Sequence, residues 1–321
     1  MPYLCLDFET HYTEIKVRGT KLGSPRQRVN SLMIAQIKKG GIEMRSKNLL
    51  CIIIFMSILM TTTLSGSTYA IKNGQPDTEN NWPYVCWVVT YPGEGDYVYL
   101  GTGSLIAPKV VLTAGHVADI GDPLEGAWAQ VSFAPIASWP PFGVDWQAVE
   151  SWYTHPEYEL GLDPQLKNWI KNDVGILFLE EPVDMDVYGE LPEEQRYVDT
   201  LKMGTTVDQV GYGAQEMVHV PGTGPPDWDW VEFGTRYYAP AQMVKSHSVF
   251  SDGFITLTAN PAKGKGGTAF GDSGGPNLES GTNIILAVTS WGTNYQCAGV
   301  SYAQRVDTAA VLDWINGFLE T

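Results

Sequence analysis

Charge is what this sequence has least of. Only 17% of its 321 residues are charged, well under the roughly 25% of an average domain. Basic residues are the scarcer sign: 20 Lys and Arg stand against 36 Asp and Glu, for a formal charge of −16. A surface that acidic repels phosphate backbones and argues against nucleic acid as a partner. Cysteine is sparse as well; four in a chain of this length are too few for a disulfide scaffold. No apolar run reaches the about 20 residues that a membrane-spanning helix needs. The longest, Leu49–Met60, has twelve. No repeat with a period of about 20–50 residues is visible, which excludes solenoids and propellers. What is present is a hydrophobic fraction of 44%, enough for a real core, together with 34 Gly, 20 Pro, 11 Trp and 16 Tyr. That mixture points to many turns and to β-structure rather than to a helix bundle.

The short apolar run has telling flanks. Arg45 and Lys47 precede it, and small residues ending in Thr68-Tyr69-Ala70 follow it. A positive start, a short apolar middle and a small-x-small end make residues 44–70 a secretory signal peptide. Residues 1–43 precede that start, are basic and lack apolar periodicity. Lys39-Gly40-Gly41 can be encoded by a purine-rich ribosome-binding sequence just before the Met44 codon. Met44 is therefore expected to be the true start, with 1–43 a non-native or disordered extension. Residues 71–321 then form the mature chain, with 11 Lys and Arg against 32 Asp and Glu, a charge of −21. The expected location is secreted or periplasmic. Cys51 lies inside the apolar run rather than at the cleavage site, so no lipid anchor is expected.

Short β-type runs follow, separated by Gly, Pro, Asn and Asp: 84–90, 97–106, 110–113, 174–179, 206–210, 254–258 and 284–290. Many short strands with turn signals indicate an all-β barrel or sandwich. One segment reads as a helix, TAAVLDWINGFL, with Asp307 as its expected cap. Ala310, Val311, Trp314, Ile315 and Phe318 would share its apolar face. Residues 214–235 read as a long irregular loop.

Three local motifs carry chemistry. GSLIAPKVVLTAGHV (103–117) places His116 after an apolar strand, NDVGILFL (172–179) places Asp173 at the head of one, and GDSGGP (271–276) places Ser273 in a glycine-rich turn. A lone His after a strand is most often structural, and a lone Asp before one is usually a turn former. Together they make sense. A serine hydroxyl is a poor nucleophile and needs an adjacent base. A neutral imidazole can take its proton and return it, and a buried carboxylate fixes the imidazole tautomer. The N–H groups of Gly271 and Ser273 could then hold a developing oxyanion. The same GDSGG also matches the G-x-S-x-G nucleophile elbow, but that fold needs a His after the Ser. The last His is His247, so the elbow fails on chain order. The observed order is His116, Asp173, Ser273.

With these motifs, and with Ser290-Trp291-Gly292 further on, the segment from Ile71 to the C-terminal helix resembles a trypsin/chymotrypsin-like serine peptidase of a bacterial, cysteine-poor type. The resemblance implies two packed six-stranded antiparallel β-barrels with a C-terminal α-helix, divided near 182–200. It implies an exported endopeptidase working through an acyl-enzyme on Ser273, as a monomer, on protein or peptide substrates. No cofactor, no metal and no stable membrane anchor after signal cleavage are implied. Gly211-Tyr212-Gly213 occupies the family's Gly-aromatic-Gly position in the second barrel. Ile71 would be the activating N-terminus, its ammonium paired with Asp272. The substrate side chain would meet Gly267, Thr268, Ser290, Trp291, Gly292 and Gly299. Gly267 stands where trypsin-like relatives carry a carboxylate, so the pocket is expected to be uncharged and to favour apolar or aromatic residues, and Gly267→Asp to shift preference toward Arg or Lys. Lys263 and Lys265 offer an alternative preference for acidic residues. The family's bridge at the His loop is absent, with Gly101 and Val117 in its place, and Ala269 replaces another half-cystine. Cys86 and Cys297 are expected to be two free thiols in different barrels. The competing reading is a catalytically silent, peptidase-like binding protein.

Overall fold

The computed structural model describes residues 71, 74–95, 98–161, 170–219, 228–247, 252–259, 266–294 and 296–320. The signal peptide, the extension before it, Lys72, Lys263 and Lys265 lie outside the described residues. In chain order, β1 (Gln75–Pro76) is followed by β2 (Val85–Tyr91), β3 (Tyr99–Ala107), β4 (Val110–Thr113), the one-turn helix α1 (Gly115–Ala118), β5 (Trp128–Ser132) and β6 (Trp146–Thr154). A small hairpin, β7 (Glu159–Leu160) and β8 (Ile170–Lys171), leads to β9 (Gly175–Leu179). The second half holds β10 (Thr206–Gly211), β11 (Glu216–His219), β12 (Trp228–Val231), β13 (Tyr237–Lys245), β14 (Phe254–Ala259), β15 (Pro276–Glu279), β16 (Ile285–Gly292), β17 (Gly299–Arg305) and the helix α2 (Ala309–Asn316).

The strands close two six-stranded antiparallel barrels. The first runs β2-β3-β4-β9-β6-β5 and shuts where β5 pairs with β2. The second runs β13-β10-β15-β16-β17-β14 and shuts where β14 pairs with β13. Closure removes the exposed edges that an open sheet of such apolar strands would present. The runs VCWVVTY of β2 and GILFL of β9 lack a clean polar alternation because both faces are covered. One face lines the barrel and the other meets the second barrel or the C-terminal helix.

The chain ends cross over. β1 pairs with β13 of the second barrel, whereas α2 packs on the first. Val311 and Ile315 are buried in the cluster that includes Leu177 and Leu179, the Phe318 ring lies 5.8 Å from that of Phe178, and His155 Nε2 lies 3.2 Å from the Ala310 carbonyl oxygen. Asp307 does not cap this helix. Its carboxylate takes both forks of Arg305 at 2.8 Å and the N–H of Val198 at 2.7 Å, and Thr308 is the N-cap residue without a side-chain cap. Ala310 is exposed rather than on the apolar face, and Leu312 is buried. Residues 214–235 are not one irregular loop, since β11 and β12 pair within them in antiparallel register.

Candidate active site

The two barrels meet around Tyr212. Its ring is fully buried, stacks on Trp87 at 6.5 Å, and its hydroxyl reaches the carbonyls of Val85 and Ala134 at 3.2 and 2.8 Å. The candidate chemistry lies at this junction.

His116 sits in α1, where the chain leaves β4. Gly115 just before it has no room for a side chain: a Cβ would lie 3.2 Å from Asp173 Oδ1 and 2.9 Å from the Tyr158 ring. This closeness lets the Asp173 carboxylate take the backbone N–H of His116 at 2.9 Å and approach Nδ1 at 2.9 and 3.1 Å. Asp173 is itself fixed from the second barrel. Its N–H donates to Gln304 Oε1 at 3.1 Å, and the Ser290 hydroxyl makes a short hydrogen bond to Oδ2. The register of β16 against β17 slips between Thr289 and Trp291, a bulge that leaves Ser290 free to turn toward Asp173.

The electrostatics follow from this arrangement. Burial pulls the His116 pKa down, but the charge of Asp173 and its hydrogen bond outweigh burial and hold the imidazole above its usual value. Burial pushes Asp173 up, and the charge of His116 with the donors from His116 and Ser290 bring it below the usual carboxylate value. The Asp173 side chain is 1% exposed and that of His116 18%, so the imidazole keeps some contact with solvent and the carboxylate almost none.

Ser273 is half-buried in the turn before β15. The turn is built on left-handed glycines, Gly271 at φ +91° and Gly274 at φ +81°, a backbone region closed to most side chains. A Cβ on Gly274 would lie 2.1 Å from Thr113 Oγ1 and 2.7 Å from the N of Ala114. The Ser273 turn therefore presses on the residues just before His116. Within the turn, Asp272 N–H bonds to Ala269 O, Gly274 N–H to Thr289 O and Gly275 N–H to Asp272 O. The N–H groups of Gly271 and Ser273 take no part in these three bonds.

Asp272 points away from this face into a closed pocket. Gly213 N–H and Ala269 N–H reach its oxygens at 2.8 Å, and the backbone N–H of Ile71 donates to it as well. Ile71 is fully buried. Burial pushes Asp272 up to about 6, against those three donors. Ile71 and Asp272, paired on the sequence, are thus in contact.

The pocket residues divide. Among the described residues, Gly292 has nothing within 4 Å of where a Cβ would stand, and at exposed Gly299 the nearest atom is Thr293 Oγ1 at 3.9 Å. Both border open space, and Trp291 stacks on Tyr302 at 3.9 Å behind them. Thr268 is buried. Gly267 differs from the expectation: a Cβ there would lie 2.7 Å from the Cβ and 2.8 Å from the Cα of Ala259. It faces β14, and a carboxylate cannot be added there without moving backbone. Gly101 and Val117 do come together, the Val117 methyls lying 2.8 and 3.0 Å from a Cβ built on Gly101, so valine fills the space of the absent bridge. Cys86 is a free, buried thiol in β2, raised far above its usual range by burial, and Cys297 lies in the other barrel.

Three groups escape a reading of the sequence. Gln304 is fully buried, and its amide donates to Gly253 O and Arg305 O at 3.0 Å while its oxygen holds Asp173. Thr102 contacts the Ser273 turn from β3. Arg236, the largest fully buried side chain among the described residues, pairs through Nε with Asp77 at 2.8 Å and reaches Val85 O, Phe133 O and the Tyr212 hydroxyl at 3.0–3.2 Å. Buried, fully partnered polar side chains leave no periodic signal in sequence.

The family model described as Trypsin matches residues 71–315. The chain belongs to the trypsin family of serine peptidases. Among solved structures, HL collagenase superposes with a TM-score of 0.59 at 17% identity, covering 78% of this chain and 98% of that one. Human heparin binding protein does so with a TM-score of 0.53 at 19% identity, covering 77% and 96%. These likenesses are of fold.

Proposed function

We propose that the chain is an exported serine endopeptidase in which Ser273 attacks the scissile carbonyl. His116 takes the serine proton and returns it to the leaving amine. Asp173 keeps the proton of His116 on Nδ1 and stabilises the imidazolium that forms. The N–H groups of Gly271 and Ser273 receive the oxyanion, and water then releases the acyl group by the same steps in reverse order. The observation that carries this reading is the His116–Asp173 pair, closed at 2.9 Å with Ser290 on its far side, beside a turn whose left-handed backbone at Gly271 and Gly274 admits few residues but glycine. One fold neighbour is named for cutting collagen and the other for binding heparin, so the fold alone does not decide between enzyme and binder; the presence of His116, Asp173 and Ser273 together favours the enzyme. Export with cleavage after Ala70 would free the Ile71 ammonium to pair with Asp272.

The test is turnover of peptide substrates by the mature chain and by Ser273→Ala. The variant should lose several orders of magnitude in kcat/KM with an unchanged melting curve. Near-normal turnover would overturn the mechanism. Gly292 and Gly299 border the pocket and Thr268, Ser290 and Trp291 carry no acid, so substrates with Phe, Leu or Tyr before the cut should exceed those with Arg; a strong preference for Arg would place a carboxylate from elsewhere in the pocket.

A further inference from the structure

We propose that Thr102 is a positioning residue for the oxyanion turn, which rests on the peptidase reading above. Thr102 is fully buried in β3 of the first barrel, while the turn belongs to the second. Its N–H donates to the carbonyl of Ser273 at 2.8 Å, and its hydroxyl donates to the carbonyl of Gly271 at 2.9 Å. One residue thus grips the turn at both ends of the Gly271–Ser273 tripeptide. The same hydroxyl accepts the N–H of Tyr212 at 3.1 Å, so its proton and a lone pair are both in use.

This grip has a reason. Gly271 at φ +91° has no Cβ to resist rotation, so the peptide that follows it turns easily unless its carbonyl is held. Next to that bond, Gly213 N–H holds Asp272 at 2.8 Å and Ala214 N–H holds Phe270 O at 2.7 Å. The Thr102 hydroxyl completes this ladder by linking Tyr212 to Gly271. On its other side the Thr102 carbonyl accepts the Thr113 hydroxyl at 2.8 Å, three residues before His116. Thr102 therefore ties the strand that leads to the base to the turn that carries the nucleophile. Gln304 and Ser290 do the converse, holding Asp173 of the first barrel from the second.

A hydroxyl that aims oxyanion donors acts on the transition state and leaves ground-state binding alone. In the mature enzyme, Thr102→Val should lower kcat between about tenfold and a hundredfold with KM within about twofold. The affinity for a peptide boronate should fall by the same factor as kcat, and that for the corresponding product peptide should hold. Thr102→Ser keeps the hydroxyl and should restore kcat toward wild type. Thr102→Ala is a second deletion with room for water, so the measurement survives if valine does not fit. Wild-type kcat and boronate affinity in a folded hydroxyl-less variant would overturn the proposal. So would loss of fold in both deletions beside a fully active Thr102→Ser, which would make the hydroxyl an element of stability. A wild-type enzyme that neither turns over peptides nor binds the boronate would overturn the peptidase reading together with this one.

Discussion

His116 is held between two opposing influences, burial that favours its neutral form and the Asp173 carboxylate that favours its charge, and the carboxylate wins. Only the neutral imidazole can accept the Ser273 proton. The rising limb of kcat/KM against pH should therefore have its midpoint above the ordinary 6.5 of a histidine, and activity should fade below it as the ring charges. Asp173→Asn removes the charge and leaves the burial, so the midpoint should move below 6.5 while the rate drops by orders of magnitude; an unmoved midpoint would show that another group titrates. Gly292 offers a cleaner view of specificity than Gly267. A Cβ at Gly292 would meet nothing within 4 Å among the described residues, so Gly292→Val should fold normally and raise KM for Phe or Tyr substrates while sparing small ones, as steady-state kinetics on a substrate panel would show. Gly267→Asp must push against Ala259, so it should lower the melting temperature before it produces any preference for Arg. The three side chains of the proposed mechanism could be picked out because each lies in a short motif whose neighbours fold locally around it. Thr102 and Gln304 could not, because their work is done on carbonyls and N–H groups more than a hundred residues away.

At the level of elements, the N-terminal segment is anchored by charge rather than by strand pairing. β1 contributes two residues to the second sheet, while Asp77 next to it carries the buried partner of Arg236 and takes the N–H groups of Asn81 and Trp82 at 2.8 and 3.3 Å. Removing one member of such a pair leaves a buried charge without compensation. Arg236→Met should therefore destabilise the fold by about 3–5 kcal/mol, read from urea unfolding; a loss below about 1 kcal/mol would mean that water replaces the guanidinium. Strand legibility followed the same logic of locality. The sequence run 110–113 coincides with β4, and 174–179 with β9 to within a residue, since each is an unbroken apolar run. β11 and β12 were hidden because Pro, Gly and Asp between them read as loop, and pairing across a long connection has no local signature. Asp307 looked like a cap because caps are recognised from one residue and its position, whereas here Arg305 competes for the carboxylate and wins with two hydrogen bonds.

For the molecule as a whole, the two barrels are useful only when registered, and under the proposed cleavage after Ala70 the Ile71 pocket would link that registration to processing. With Ile71 internal, Asp272 is raised to about 6. The folded chain then keeps a proton that an unfolded carboxyl, near 3.9, releases. The sign is fixed: the unprocessed chain should lose stability as pH rises from about 4 to about 6, and a chain beginning at Ile71, whose ammonium lowers the Asp272 pKa, should lose less or gain over the same range. Thermal melts of the two forms across that range check this, and equal slopes would remove the ammonium from the account. The processed form should also be the active one, with one extra residue before Ile71 lowering kcat sharply. In the proposed mechanism Ser273 is a nucleophile made reactive by its partners. The most direct measurement is mass spectrometry of the mature chain after exposure to a fluorophosphonate. The account predicts one adduct per chain, on the peptide that carries Ser273, and little or none in Ser273→Ala or His116→Ala. An unlabelled wild-type chain, or equal labelling of Ser273→Ala, would contradict it.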